Sequence, residues 1–333
     1  MKIYRGGEHP HQALDPCNSA ENGPSSQWTH QGADAGRYTN GDIHAIRFLA
    51  MAPTTDRIMS APQGSFYSHA SERLRILGEI PVRKFNGGNQ PQDPDGNPDT
   101  SFLAKIPANV AWTFQTLDRR GMVLNMSQTW HQIRPGEIRT NCGGCHAHSQ
   151  EPTPFELTAA AKPEYRIWDL TEKTPLLAAR TEDESGRQWD RESATGLRYE
   201  EGVKDVEFYR DIEPILQRSC VACHTQQAAE PPGNLVLDDP EPVVARVNVL
   251  TLPSGTYYRL AADRDARFGH KPISGHGWRY SNASRYIRMF QSRRSLLVWK
   301  IFGERLDGFA NHDHPSETKP GDRTLSQAGE PVD

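Results

Sequence analysis

Two short stretches of the chain carry residue types at a spacing that defines a chemistry. The first reads NCGGCHAH and the second reads SCVACHT, and each contains a Cys-x-x-Cys-His box. This box is the attachment pattern of a c-type haem. Two cysteines three residues apart can each form a thioether bond to one porphyrin, and the adjacent histidine then lies where it can bind the iron. The sequence therefore predicts two covalently bound haem c groups as cofactors.

The two boxes indicate which residues should hold the cofactors. Four of the five cysteines lie in the boxes, whereas Cys17 is left over, as an unpaired thiol or one half of an intermolecular disulfide. Cysteine usage thus indicates a site rather than a disulfide framework. The predicted haem-attaching residues are Cys142, Cys145, Cys220 and Cys223, and the predicted proximal iron ligands are His146 and His224.

Two other chemistries are compatible with paired cysteines. The four box cysteines together would make a zinc site. The pairs are too far apart in sequence for a usual zinc ribbon, and zinc would not require a histidine at the same offset in both. A redox dithiol would need a strand-to-helix context that neither box clearly has. The haem interpretation explains every residue of both boxes.

The second axial position of each iron has several candidate ligands. A second histidine gives a closed, low-potential site, methionine raises the potential, and an open position permits catalysis. His148 follows His146 too closely to reach the other face of its own haem. The roles that remain are a hydrogen bond to a haem propionate, the binding of a metal or of another haem, or no role at all. The candidates are His312, His314, His270, His276 and Met289 for the second haem, and His131, His9, His11, His30, His44 and His69 for the first.

Composition narrows the class of protein. Hydrophobic residues make up 35% of the 333 residues and the mean hydropathy is −0.73, which leaves room for a large cofactor in the core. The net charge of −4 implies no basic face, so nucleic acid is not an expected partner. No apolar run approaches the ~20 residues that span a bilayer.

The expected compartment follows from the cofactor. Haem c is attached outside the cytoplasm, so we expect a periplasmic or extracellular protein. The N-terminus MKIYRGGEHPHQ has neither the apolar segment nor the cleavage site of a signal peptide, which leads us to expect a longer precursor.

Alternating apolar and polar residues predict strands before the first box. They occur at 43–53, at 72–82, on both sides of a Pro-Ala-Asn turn within 101–118, and after Gly121. The stretch 86–100 has the composition of a loop. Around the second box the pattern predicts a helix that Pro214 breaks or kinks, β pieces at GNLVLDD and SGTYYRLA, and one or two later helices that Gly308 can end.

These elements predict an α+β fold with much irregular structure. A β-sandwich-like domain carries the first haem, and a mainly α, cytochrome c-like domain carries the second. The predicted organisation is an extended arm at 1–40, the β-rich domain at 41–155, a polar linker at 156–204 and the cytochrome c-like domain at 205–333.

Both regions resemble one known family. The series PAN…FQTLD…GM…PGE…CGGCH is similar to the middle, haem-bearing domain of the hydrazine synthase alpha subunit family. DIEPILQRSCVACH, RSLLVWKIFGERLDG and NHDHP resemble the C-terminal cytochrome c domain of the same family. The resemblance covers roughly residues 40–315 and includes no counterpart of the family's N-terminal β-propeller. It favours His312 or His314 as the distal ligand of the second haem.

The resemblance also implies a function. A di-haem cytochrome that transfers electrons, working with redox partner proteins or other haem subunits in a homo- or hetero-oligomer, is the expected role. The alternative is a haem redox enzyme with the first haem as its active site. In the family's enzyme a tyrosine shortly after the first box binds iron, whereas this chain has Gln150 there and no tyrosine before Tyr165. His146 is therefore expected to be an ordinary proximal ligand.

Overall fold

The computed structural model describes two compact units of the chain. The described residues up to Asp205 form the first unit, and those from Val206 onward form the second. Described are residues 38, 40–52, 73–84, 90–94, 96–126, 130–140, 154–187, 196–241, 243–245, 250–252, 255–257, 259–260, 286–287 and 292–308. The predicted arm at 1–40 lies almost wholly outside these residues.

The first unit is built on an antiparallel four-stranded sheet. Its strand order is β2-β1-β4-β5, and the parallel pair β3–β6 and the hairpin β7–β8 complete the unit. The predicted strands in this region are confirmed, including the two that flank the Pro-Ala-Asn turn. The bounds are β1 Ala45–Ala52, β2 Arg73–Pro81, β3 Ala104–Lys105, β4 Trp112–Leu117, β5 Val123–Met126, β6 Trp168–Asp169, β7 Lys173–Ala178 and β8 Gly196–Glu201.

Both faces of the sheet are buried. Alternate residues of β1 point to opposite faces, so Phe48 packs with the larger aromatic core while Ala45 packs with Leu117 on the other side. Leu177 of β7 packs against that second face. At Gly78 the chain passes so close to Leu170 and Pro175 that an added Cβ would lie 2.7 Å from a carbon of Leu170. A glycine in β2 therefore permits this close packing.

The polar stretch predicted as a linker at 156–204 is folded over most of its described length. It contains the 3-10 helices Phe155–Leu157, Ala159–Ala161 and Arg180–Glu182 and strands β6, β7 and β8, and it belongs to the first unit. The polar composition reflects the exposed side of the β7–β8 hairpin, whereas Leu176 and Leu197 on its other side are buried. Because charged residues occupy the exposed side, the sequence did not show the alternation that predicts a half-buried strand.

The second unit contains short helices and one small hairpin. A π-helical segment at Phe208–Ile212 leads into α1, Glu213–Ser219. Pro214 lies in the first turn of α1, where its missing N–H breaks no hydrogen bond, so the predicted break is the junction between the two segments. The other elements are the 3-10 helices Pro232–Asn234 and Ser292–Arg294, strands β9 Val243–Ala245 and β10 Leu250–Leu252, and helices α2 Gly255–Tyr257 and α3 Leu296–Phe302.

Three expectations for the second unit were wrong. GNLVLDD begins with part of a 3-10 helix and continues without a strand, and SGTYYRLA contains the helical turn α2. Asp239 explains the latter, because it interacts with Thr256 through backbone and side-chain hydrogen bonds that hold the turn. Helix α3 ends at Gly303 rather than Gly308, since Gly303 has the left-handed φ of 69° that closes a helix.

Candidate functional site

The second box forms a helical turn directly after α1. The N–H of Cys220 donates to Leu216 O over 2.9 Å, and the N–H of His224 donates to Cys220 O over 3.0 Å. Residues three and four apart on a helical turn share one face, so Cys220, Cys223 and His224 are presented together. Both cysteines are free thiols; Cys220 is partly buried and Cys223 is exposed. The haem-attaching role of these cysteines stays a prediction.

The ring of His224 is oriented by a backbone carbonyl. Its Nδ1 lies 3.0 Å from the oxygen of Leu235, and the N–H of Leu237 donates to the oxygen of His224 over 2.8 Å. Metal-binding histidines characteristically donate their other ring nitrogen to a carbonyl or carboxylate. When Nδ1 donates to Leu235, Nε2 carries the lone pair that a metal needs. Sequence reasoning missed Leu235, because a backbone acceptor has no side-chain signature.

The segment after the box is tied to the same loop. Asp238 accepts hydrogen bonds from the hydroxyl of Thr225 and, over 2.8 Å, from the N–H of Gln226. The hydrogen bond from Thr225 is the main reason that the pKa of Asp238 lies below its ordinary value. The two residues that directly follow His224 are thus held by Asp238.

The core of the second unit extends to the box. Cys220 and Val221 are partly buried against a cluster of buried residues, namely Leu216, Leu235, Leu237, Leu260, Tyr286, Leu296 and Trp299. Apolar side chains also remain uncovered on the segment that leads into the box, with Tyr209 50% and Ile215 48% exposed. A haem is a large, mostly apolar group, so this surface and donor set fit it.

A buried ion pair lies shortly after helix α3. Arg305 binds Asp307 through two hydrogen bonds of 2.7 and 2.9 Å, and neither side chain is exposed. The guanidinium lies 4.6 Å from the ring centroid of Trp299, a residue of the same core. The predicted ligands His312 and His314 follow a few residues later, outside the described part of the chain.

The first box, Cys142 to His146, also lies outside the described residues, as do Cys17, His148 and Gln150. The chain that leads to it is described. Trp112 and His131 exchange two backbone hydrogen bonds, of 2.9 and 2.7 Å, and the N–H of Asn109 donates to Ile133 O over 3.0 Å. Ile138, between this anchor and the box, is 84% exposed.

The side chain of His131 packs on aromatic residues of the sheet. Its ring centroid lies 4.8 Å from that of Trp112 and 5.8 Å from that of Phe114, with planes tilted by about 30°. The aromatic contacts continue from Trp112 to Phe48 and on to Phe102. The ring thus has a packing role, and its role as an iron ligand stays a prediction.

The chain that leaves the first box is tied to the sheet unit by a buried polar cluster. Asp99, 2% exposed, accepts hydrogen bonds from Ser101, Lys84 and the N–H of Ala159. Burial lowers the pKa of Lys84 to about 8, partly opposed by Asp99. Burial by itself would raise the pKa of Asp99, but Lys84 and the hydrogen bonds outweigh it and the pKa is lowered.

Tyr165 is the first tyrosine after the first box. It is partly buried against the aromatic core, and the Lys84 ammonium lies 5.9 Å from its ring centroid. Burial raises its pKa to about 12. Its surroundings are those of a core tyrosine. Among the described residues, no three His, Cys, Asp or Glu side chains group together as a metal site.

The anchored strands, the turn at Pro135–Gly136 and the box that follows belong to one recognisable region. Residues 41–147 match the family model of the hydrazine synthase alpha subunit middle domain. The chain is also 28% identical over 319 residues to hydrazine synthase subunit alpha of Kuenenia stuttgartiensis, covering 86% of this chain and 36% of that protein. The similarity therefore extends beyond the middle domain, into the part that carries the second box.

The comparison with solved structures matches the chain to hydrazine synthase from the same organism. The TM-score is 0.48 at 19% sequence identity, with 84% of this chain and 35% of that chain covered. The chain thus spans about a third of the length of the relatives it matches. Within the described residues no helix is long and apolar enough to cross a bilayer.

Proposed function

We propose that this chain is a di-haem c-type cytochrome that transfers electrons as a subunit of a larger multi-haem redox assembly. The observation that carries the proposal is the orientation of His224, whose Nδ1 lies 3.0 Å from the carbonyl oxygen of Leu235. A histidine that directly follows a Cys-x-x-Cys pair and has its Nδ1 bound in this way is prepared to bind iron through Nε2.

The chain's own residues would hold the two cofactors. Cys220 and Cys223 would attach one haem, and Cys142 and Cys145 the other, with His224 and His146 as proximal ligands. When bound, each haem iron supplies one-electron chemistry. The protein sets the ligands, the burial and the hydrogen bonds that determine the reduction potential. His312, His314 and His131 are the proposed candidates for the remaining axial positions.

Electron transfer is favoured over catalysis by a residue near the first box. Gln150 stands where the resemblance expects a tyrosine ligand, and Tyr165 packs on the core of the first unit. The activity that the name of the Kuenenia relative implies is therefore not proposed for this chain. Redox proteins or other haem subunits are the proposed partners, and the periplasm or the extracellular space is the proposed compartment, because haem c is attached there.

Haem content and coordination test this proposal together. A pyridine haemochrome assay on purified protein counts the haems, and we expect two per chain. The visible spectrum should show two low-spin irons, and the reduced protein should not bind CO, since closed coordination suits electron transfer. One CO-binding, high-spin haem would favour the enzyme alternative, and a protein without haem would exclude both redox functions.

A further inference from the structure

The histidine of the second box is held by one short segment of chain, residues 235–239. The carbonyl oxygen of Leu235 lies 3.0 Å from Nδ1 of His224, and the N–H of Leu237 donates to the oxygen of His224 over 2.8 Å. Leu235 and Leu237 are buried in the core of the second unit. We refer to residues 235–239 as the strap. Both the ring and the backbone of His224 therefore contact the strap.

Asp238 ties the strap to the two residues that follow His224. Its carboxylate accepts hydrogen bonds from the hydroxyl of Thr225 and, over 2.8 Å, from the N–H of Gln226. The side-chain amide of Gln226 donates in turn to the backbone oxygen of Asp238 over 3.0 Å. Asp238 therefore joins the strap to the box directly beyond the residue whose ring the strap orients.

The neighbouring aspartate makes its hydrogen bonds to a different segment. The N–H of Asp239 donates to the Thr256 hydroxyl over 3.0 Å, and that hydroxyl donates to the backbone oxygen of Asp239 over 3.2 Å. The Asp239 carboxylate pairs with Arg259. None of these bonds involves the box. Two adjacent aspartates thus divide the contacts of the strap, since Asp238 binds the box and Asp239 binds the turn α2.

The hydrogen bond behind a metal-binding histidine affects how strongly its ring binds the metal. An acceptor at Nδ1 fixes the orientation of the ring and makes it a more basic ligand. A more basic axial ligand favours oxidised iron, and such hydrogen bonds are one way in which a protein lowers the potential of a haem. A backbone carbonyl can act in this way only while its segment is held in place.

We propose that Asp238 is a positioning residue for His224. By tying the strap to Thr225 and Gln226, it keeps the Leu235 carbonyl behind the ring and keeps the reduction potential of the second haem low. Asp238 acts through the strap rather than on the iron. The inference rests on the proposed function, because it requires a haem at Cys220 and Cys223.

The test changes Thr225 in the full chain, because its replacement alters no charge. T225V removes the hydrogen bond to Asp238 at nearly constant volume, and T225S retains a hydroxyl. T256V is the matched control, since it removes a threonine hydroxyl that is bonded to Asp239 in the same strap. Thr256 is 2% exposed, so T256V should destabilise the second unit without releasing Asp238.

A redox titration measures the expected effect. The wave of the second haem is identified by its loss in C220A/C223A. We expect T225V to raise its midpoint potential by about tenfold in the reduction equilibrium, the lower end of effects at residues behind metal ligands, or about 59 mV for one electron. T225S and T256V should leave it in place. An unmoved potential in T225V, or an equal shift in T256V, would overturn the inference.

D238A provides a second measurement that does not depend on Thr225. Its control is E241A, which removes one negative charge from an exposed position three residues later. D238A should raise the potential of the second haem more than E241A does. Equal shifts would mean that only the charge matters, which also overturns the inference.

Hydrogen exchange measured by mass spectrometry reports on the strap itself. Peptides covering 233–239 should exchange faster in T225V than in T225S, because the N–H of Leu237 opens more often. Equal exchange would show that Asp238 does not hold the strap. Fewer than two haems per wild-type chain would defeat the proposed function, whereas two haems with an unmoved potential would defeat the inference alone.

Discussion

The hydrogen bonds that orient the second box come from residues close to it in sequence, whereas the one that holds Ala159, beyond the first box, comes from a residue far away. His224 is oriented by Leu235, 11 positions away. Ala159, beyond the first box, is held by Asp99, 60 positions away. Local contacts close short loops at a small cost in chain entropy, whereas distant contacts close longer loops at a higher cost. The second box should therefore take up its conformation together with its own helix and loop, whereas the Ala159 anchor should form only with the sheet.

Removing the cysteines of one box is the strongest test of this separation. In C220A/C223A we expect haem content to fall from two per chain to one, with the spectrum of the first haem retained, because its anchors lie in the other unit. C142A/C145A should give the reverse result. Pyridine haemochrome assays of both variants measure this. Loss of both haems from either variant would show that the sites are coupled.

Breaking the buried ion pair of each unit should destabilise that unit alone. D99N leaves Lys84 without its counter-charge, and D307N does the same to Arg305, which is 1% exposed. Removing one partner of a buried pair costs about 3–5 kcal/mol. Hydrogen exchange at increasing urea concentrations, followed on peptides from 73–126 and 292–308, assigns each loss to its unit. If one substitution lowered the free energy of unfolding of both units equally, the division of the chain into two separately stable units would be contradicted.

The first unit should also gain stability in mild alkali. Because the folded-state pKa of Lys84 is about 8 and its ordinary value is 10.5, the unfolded chain holds this proton more tightly. Stability therefore rises with pH between about 8 and 10, by up to about 3 kcal/mol from this group. Urea unfolding of wild type and K84M at pH 8 and pH 10 measures the difference. A K84M variant with the same pH dependence would show that Lys84 is not the cause.

A smaller effect is expected at the end of α3 in the second unit. Gly303 adopts a left-handed conformation, φ 69° and ψ 11°, that other residues reach only with strain. G303A should cost about 1 kcal/mol. Urea unfolding of the second unit measures the loss. The matched substitution G308A falls at another left-handed glycine, φ 75°, beyond the helix, and should cost a similar amount without fraying α3.

The smallest effect is expected for the ion pair between Lys105 and Asp169 at the surface of the first unit. D169N removes an exposed ion pair with Lys105, and such pairs contribute about 0–1 kcal/mol. Unfolding of the first unit by urea should change within that range. A loss as large as that of D99N would mean that Asp99 stabilises the first unit through its hydrogen bond from the Ser101 hydroxyl, rather than through its burial and its hydrogen bond from Ala159.

Much of the first unit could be predicted from the sequence. Alternation of apolar and polar residues located β1, β2, β4 and β5, because successive side chains of a strand point to opposite faces of the sheet. The same rule failed at 173–178 and 196–201, where charges on the exposed side of the β7–β8 hairpin suggested a linker. SGTYYRLA failed for a related reason, since its helical turn is held by Asp239, a partner that is distant in sequence.

The sequence by itself predicts the chemistry of this protein. Each Cys-x-x-Cys-His box indicates which cysteines would attach a haem and which adjacent histidine would bind its iron, and the three residues of the second box lie on one helical turn. Only the tertiary structure decided which backbone oxygen orients His224 and which carboxylate caps Ala159. A carbonyl has no sequence signature, and Asp99 and Asp169 are followed by the same kind of hydroxyl residue two positions later. Their roles differ because folding buries one and leaves the other at the surface.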